Sequence, residues 1–206
     1  MIKALPIEIS ESTIILVEGK DDEQFLEGLL RKIEIKNYQI IQLSGKNNLS
    51  KRLPTIVKAS GFDKVKNIAI VLDADDSPYN TFKSVLSALK KANLPLPGKP
   101  GEITGGEQIN VGVFLFPDCK NPGTLEDLII KSFEKDILNC IKEYINCVKK
   151  LDFNPKKEAK SIVYSYIAIQ HEPSRDFEVS VKRKHINLEA SAFDEIKEFL
   201  KRIICV

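Results

Sequence analysis

Short runs of apolar residues alternate with amphipathic stretches along the first two thirds of the chain. The apolar runs cover residues 13–18, 38–45, 67–73 and 109–117. Their continuity predicts strands that are buried on both faces, as in parallel sheets. Between these runs, apolar residues repeat at helical spacing. The alternation predicts an α/β fold with about four mostly parallel strands flanked by helices.

The amphipathic stretches that follow the strands predict helices. The first begins near Asp21, where Gln24 can complete a capping box. Later helices are expected over residues 49–59, 79–92 and 124–150. The stretch 95–108 is rich in Pro and Gly and lacks periodicity, which predicts an irregular loop or a short hairpin.

Beyond residue 130 the sequence predicts mainly helices. Residues 156–170 predict a helix, residues 177–181 alternate like an edge strand, and residues 193–203 predict a terminal amphipathic helix. We therefore expect an α/β domain over 1–130 and a helical extension over 131–206 that packs on its core.

Charge and hydropathy restrict the classes of protein to which this chain could belong. Of 206 residues 43% are apolar, enough for a sizeable core, and 31 basic residues nearly cancel 29 acidic ones. The net charge is too small to attract nucleic acid to the protein surface as a whole, so any binding site for a polyanion must be local. No apolar run approaches the ~18 residues of a membrane span. The N-terminal residues lack the features of a signal peptide. We expect a cytoplasmic protein, and the many Lys, Glu and Ile residues resemble a thermophile's composition.

The four cysteines do not predict a zinc site. They include no Cys-x-x-Cys pair, and only two histidines could complete a set of soft ligands. Cys140 and Cys147 lie seven residues apart in a predicted helix, so we expect buried thiols that behave as small apolar groups.

Carboxylates follow two of the predicted strands. Glu18 ends the first strand, and Asp73 and Asp75 end the third. The carboxyl ends of parallel strands meet in a crevice that binds ligands, and clustered carboxylates repel each other unless a cation compensates them. Oxygen ligands of this kind suit Mg²⁺. Asp21 and Asp22 also lie within reach of the crevice; we expect helix-start acids facing the dipole, with metal ligation as the alternative.

The order of these motifs resembles the Toprim domain. A Glu-Gly after the first strand, a Gly turn after the second and Asp-x-Asp after the third match its pattern over about residues 12–130. The resemblance implies a general acid/base or metal-site role for Glu18 and Mg²⁺ ligation by Asp73 and Asp75, with Mn²⁺ as a substitute. It also implies nucleic-acid processing, and the small size is similar to stand-alone Toprim-like proteins of archaea and thermophilic bacteria.

Other residues are secondary candidates for the same site. Lys20 and Lys46 could steady a phosphate, and Gly19 and Gly45 could let the backbone approach a ligand. Glu126 and Asp127 could complete a metal site, or they could be first-turn acids behind the Thr124 cap. Lys182 to Lys184, with His185, form a run that is either solvated or in contact with a nucleic-acid backbone.

Three classes of function follow from these residues. The first is a Mg²⁺-dependent enzyme that processes phosphodiester bonds, a small nuclease. The second is a non-catalytic module that holds a nucleotide or nucleic acid with Mg²⁺. A third possibility is a subunit that works only beside a partner such as an ATPase, because the sequence itself has no P-loop. The sequence leaves open whether the chain works with a protein partner or with a second copy of itself. No membrane partner is expected.

Overall fold

A computed structural model describes residues 7–45, 48–105, 108–174 and 177–204. Its centre is a five-stranded sheet in the order β2-β1-β3-β5-β4. Four strands are parallel, and β4 runs antiparallel to β5 at one edge. The strands are β1 (Thr13–Val17), β2 (Tyr38–Gln42), β3 (Asn67–Asp73), β4 (Ile103–Gly105) and β5 (Asn110–Phe116). The predicted α/β class is confirmed, and the Pro- and Gly-rich stretch supplies the fifth strand as half of a hairpin.

Helices cover both faces of this sheet. Ile14, Leu16 and Ile70 point to one face, where α2 and α3 pack, and the alternate residues Ile15, Val17 and Val71 point to the other. The helices are α1 (Lys20–Lys32), α2 (Leu49–Ile56), α3 (Pro78–Lys91), α4 (Leu125–Ile130), α5 (Lys135–Lys149), α6 (Glu158–Ala168), α7 (Phe177–Lys182) and α8 (Asp194–Ile204). Among the described residues, none of these helices is both long and apolar enough to cross a bilayer.

The parallel register aligns the carboxyl ends of the central strands. Val17 of β1 lies opposite Val71 of β3, and Asp73 lies opposite Phe116 of β5. Residues that immediately follow β1 and β3 therefore emerge at the same edge of the sheet. This edge also receives the first turns of α1 and α4, which follow β1 and β5 in the chain.

The C-terminal helix α8 forms part of the central core. Phe199 and Leu200 are almost fully buried in the same cluster as Phe114 of β5. The approach is close at Gly112, where an added Cβ would lie 2.9 Å from Ile203 Cδ1. The division into domains at residue 130 stays a prediction, and α8 contacts β3 and β5 directly.

The single long helix expected over 124–150 is wrong. The chain leaves the helical path after α4, where the N–H groups of Ser132 and Phe133 donate to carbonyls only three residues back. Phe133 is buried and stacks on Tyr166 of α6, with ring centroids 3.7 Å apart. Placing this ring in the core requires the turn that separates α4 from α5.

The edge strand expected over residues 177–181 is also wrong, because this segment is the helix α7. Phe177 and Val181 are four residues apart and both are buried. That spacing fits one face of a helix as well as one face of a strand. Packing of α7 against α1 decides between the two, and Val181 lies directly over Gly28.

The two cysteines of α5 are exposed, contrary to the expectation of buried thiols. The helix instead buries Ile141 and Ile145 in a small cluster with Ile162 of α6. Cys140 precedes Ile141 by one residue, and each residue turns a helix by about 100°. Cys140 and Cys147 therefore lie beside the buried stripe rather than within it.

Candidate acidic site at the carboxyl ends of β1 and β3

Glu18 and Asp73 meet at the edge where β1 and β3 end. The backbone N–H of Asp73 donates to Oε1 of Glu18 at 3.2 Å. Oδ1 of Asp73 in turn accepts the N–H of Leu125, the first residue of α4, at 2.8 Å. The two carboxylates are thus positioned by backbone groups of neighbouring elements, and both predicted residues lie together at the predicted edge.

Asp22 of α1 joins this pair. Its Oδ2 accepts the N–H of Gly19 at 2.8 Å, which completes a cap at the start of the helix. The side chain is only 9% exposed. Burial raises the pKa of Asp22 to about 6, against the effect of the Gly19 hydrogen bond, and the nearby Glu126 raises it further. Asp22 is a helix-start acid, as predicted, and it also belongs to the acidic group.

Burial and neighbouring carboxylates raise the pKa of Asp73 more than that of Asp22. Burial raises the pKa of the Asp73 carboxyl group to about 8, and the negative charges of Asp22 and Glu18 act in the same direction. The hydrogen bond from Leu125 opposes this shift, and Glu126 adds to it. Four carboxyl groups, from Glu18, Asp22, Asp73 and Glu126, therefore share one region of electrostatic repulsion, which we call the acidic site.

Lys160 of α6 is a cation at the border of the acidic site. Its Nζ lies 2.7 Å from Oδ2 of Asp21 and 3.7 Å from Oε1 of Glu126. Burial alone would lower the pKa of Lys160, but the hydrogen bond and charge of Asp21 raise it overall. The lysine is thus held in its charged form. No motif in the sequence marks Lys160, because it lies 139 residues from Asp21 in the chain.

Asp75 does not continue the strand beyond Asp73. Its φ angle is 48°, in the left-handed region. Its N–H donates to the carbonyl of Gly123 at 2.9 Å, and the N–H of Gly123 donates back at 2.8 Å. The chain therefore turns after Asp73, and the extended backbone that would place both aspartates on one side is absent. Metal ligation by Asp75 stays a prediction.

The two acids at the start of α4 have different surroundings. Oδ2 of Asp127 accepts both the N–H of Thr124, at 2.8 Å, and its hydroxyl, at 3.1 Å, so Asp127 caps the helix. Glu126 instead faces Lys160 and contributes to the charge felt by Asp22 and Asp73. Of the pair, Glu126 is the one within the acidic site, and metal ligation by either residue stays a prediction.

The two candidate glycines differ in why glycine is present. Gly45 has a φ angle of 109°, which favours glycine, and its N–H donates to the carbonyl of Glu18 at 2.9 Å. Gly19 is extended, with φ at −155°, a conformation that does not require glycine. A Cβ added at Gly19 would meet nothing within 4 Å, which leaves open space beside the acidic site.

The two candidate lysines are not part of this group of contacts. Lys20 is exposed at the start of α1, and it lines a groove between α1 and α7. Lys46 lies outside the described residues. Their predicted roles as phosphate contacts stay predictions.

The donor chemistry of the acidic site suits a hard divalent cation. Carboxylate oxygens are the ligands that Mg²⁺ takes, usually one or two of them together with water and phosphate oxygens. Within residues 7–45, 48–105, 108–174 and 177–204, no three His, Cys, Asp or Glu side chains form a ready metal-binding group. A Mg²⁺ ion bound by one or two carboxylates does not need such a group, so the residues fit this cation and not a multi-ligand zinc centre.

Comparisons with known proteins give a family without an assigned activity. The model of the family described as "Protein of unknown function (DUF3226)" matches residues 12–205. None of the curated proteins matches the chain. The C-terminal region of the Burkholderia pseudomallei OLD protein is similar in structure, with a TM-score of 0.42 and 14% identity over 93% of this chain and 89% of that one. A similarity at this level supports no functional argument. The match over nearly the whole chain shows that this protein belongs to the DUF3226 family.

Proposed function

We propose that the protein is a Mg²⁺-dependent enzyme that acts on phosphodiester bonds of nucleic acid, a small nuclease of Toprim type. The observation that carries this proposal is the backbone-positioned pair of Glu18 and Asp73 at the end of two parallel strands. Ligand sites of open α/β sheets lie at this edge. The order of Glu18-Gly19 and Asp73-x-Asp75, which resembles the Toprim pattern, supports the same assignment.

In this proposal Asp73 holds the metal, and Asp22, Glu126 and Asp75 are the further candidates. A divalent cation would offset the charge of the phosphate and lower the pKa of bound water. Glu18 would move a proton at its carboxyl group as the general acid or base. Oε1 of Glu18 is fixed by the N–H of Asp73, so the group is oriented before substrate arrives.

Calorimetric titration with Mg²⁺ and Mn²⁺ tests the metal site. Asp73→Asn and Asp22→Asn remove charge but keep an oxygen that can accept the backbone hydrogen bond of Leu125 or Gly19. We expect each to weaken metal binding at least tenfold. Asp76→Asn is the matched control, because Asp76 is exposed and adjacent in sequence. Equal metal affinity in all four proteins would refute the site.

Cleavage assays with single-stranded, duplex and supercoiled substrates test the enzyme. Glu18→Gln retains an acceptor for the N–H of Asp73, so the fold should persist. Loss of a positioned acid/base should lower the cleavage rate by about 10²- to 10⁴-fold, with substrate binding intact. Metal-dependent binding without cleavage by the wild-type protein would instead indicate the non-catalytic module. Such a module would work beside a protein partner.

A further inference from the structure

A groove runs along α1 on the side that faces α7, and we call it the α1–α7 groove. It consists of two adjoining cavities of about 200 and 520 Å³, which share the wall residues Gly28, Arg31, Val181 and Lys182. The smaller cavity begins at Lys20, in the first turn of α1. Asp22 lies in the same turn, on nearly the opposite side of α1, so the groove begins at the end of the helix that carries the acidic site.

The groove follows one face of α1. Lys20, Gln24 and Arg31 are spaced at four and seven residues, so they lie on the same side of the helix. Eleven residues separate Lys20 from Arg31, which corresponds to about 16 Å of helix. That length can accommodate a short stretch of a single strand.

A buried polar group points to a missing partner in the smaller cavity. Gln24 lines this cavity and is only 6% exposed. Its Nε2 has no hydrogen-bond partner among the described residues. A buried donor without a partner costs about 1–3 kcal/mol, so such groups are normally satisfied by a ligand or by water. An N–H donor in this position suits an anionic oxygen.

The charges of the groove leave its cations available. Two of the four carboxylates in its walls form ion pairs, Glu178 with Lys182 and Glu189 with Lys32. Glu23 and Glu27 accept hydrogen bonds from the neutral groups of Gln42 and Tyr38 and keep their negative charge. Lys20, Arg31 and Lys184 form no ion pair with any residue that the structure describes. With five basic and four acidic side chains in its walls, the groove carries a small net positive charge.

The larger cavity combines these cations with an apolar wall. Val181, Ile186 and Leu188 line it beside Arg31 and Lys184. A volume of about 520 Å³ is large enough for a nucleobase with its sugar, and an apolar wall suits a base more than a phosphate. A base can enter such a cavity only when it is not stacked within a duplex.

We propose that the α1–α7 groove binds single-stranded nucleic acid and leads the strand to the acidic site. Lys20, Arg31 and Lys184 contact phosphates, Gln24 donates to an anionic oxygen, and the 520 Å³ cavity receives an unstacked base. This assignment names the substrate class of the proposed function and rests on it. The run from Lys182 to Lys184 contributes only in part, because Arg183 turns away to the carbonyl of Glu172 at 2.9 Å.

Fluorescence anisotropy with a labelled 12-nucleotide single strand, measured in EDTA, tests the groove separately from metal and cleavage. We expect Arg31→Glu and Lys184→Glu each to weaken binding at least tenfold. Lys90→Glu is the matched control, because Lys90 is an exposed lysine of α3 on the opposite face of the sheet. It should bind within twofold of wild type. Each lost phosphate contact should reduce the salt dependence of log K by about 0.7.

Gln24→Met provides a second variant that does not depend on charge. Met is similar in length and removes a buried donor that has no partner, so thermal stability should be kept while binding weakens several-fold. The inference is overturned if Arg31→Glu and Lys184→Glu bind the single strand as tightly as the wild type does. It is also overturned if the wild type does not bind the single strand, or if it binds a duplex as tightly as the single strand. Asp73→Asn should retain binding, so a failure of the metal site and a failure of the groove give different results.

Discussion

At the scale of single residues, two opposing effects act on the pKa of Asp73. The N–H of Leu125 stabilises its charged form, while burial and the charges of Asp22 and Glu18 disfavour it. The second influence prevails, and the pKa of Asp73 rises to about 8. In the metal-free protein at neutral pH this carboxyl group is therefore mostly protonated. A bound cation would reverse this balance, since it favours the charged form.

The pH dependence of stability should reveal this shift. The folded-state pKa of Asp73, about 8, lies above the ordinary value of 3.8. The contribution of this shift to the free energy of unfolding is therefore fully present below pH 4. It is lost as the pH rises through 8. Asp22, with a pKa of about 6, acts in the same direction between pH 4 and 6. Metal-free protein should thus become less stable from pH 4 to pH 8.

Asp73→Asn should flatten that dependence. We expect the free energy of unfolding in EDTA to change less between pH 4 and 8 in the variant, by at least ~1.4 kcal/mol, the energy of one pKa unit. Chemical denaturation at several pH values measures it. Asp76→Asn serves as the control, because that side chain is exposed. Parallel pH profiles for wild type and Asp73→Asn would show that Asp73 is charged in the metal-free fold.

At the scale of secondary-structure elements, α7 is positioned by a glycine of α1. A Cβ added at Gly28 would lie 2.3 Å from Cγ1 of Val181, a distance that side chains do not tolerate. The small residue therefore permits the close approach of the two helices that form the groove. Glycine inside a helix costs up to about 1 kcal/mol relative to alanine, and this packing offsets the cost.

Gly28→Ala should consequently destabilise the protein although alanine favours helix. The steric overlap costs about 1–3 kcal/mol, more than the gain in helix propensity. Val181→Ala removes the overlapping methyl groups, so the double variant should show a favourable coupling energy of about 1 kcal/mol. Urea denaturation of the four proteins measures it. Combining Gly28→Ala with Val85→Ala, on the other face of the sheet, should give additive effects. Additivity in both cycles would refute the contact.

At the scale of the whole molecule, the sheet needs its C-terminal helices. The face formed by Val71, Phe114 and their neighbours packs against α1, α4 and also α8. Gly112 lets α8 lie directly on β5. Without α8, the apolar residues of this face would be exposed to water at a cost of about 25 cal/mol per Å². The helical extension is thus part of the same core.

A chain that ends at residue 130 should therefore fail to fold cooperatively. We expect it to bind a hydrophobic dye and to lose a sharp thermal transition, measured by circular dichroism. A chain that ends at residue 204 keeps all of α8 and is the control. Cooperative unfolding of the 1–130 fragment would establish it as an independent domain, with residues 131–206 as a separate addition.

The sequence by itself determined the α/β class, the parallel strands and the meeting of Glu18 with Asp73. These features depend on local patterns, because a continuous apolar run specifies a buried strand and parallel strands end at one edge. The helical state of α7 was not determined locally, since Phe177 and Val181 share a face in both helix and strand.

Only the tertiary structure decided which other charges reach the acidic site. Asp22 and Asp21 are adjacent in sequence, yet one is buried beside Asp73 and the other pairs with Lys160. Lys160 comes from a helix 139 residues away from its partner, and no local pattern encodes such a contact. The direction of each side chain depends on how α1, α4 and α6 pack around the end of the sheet, and this packing is a property of the whole fold.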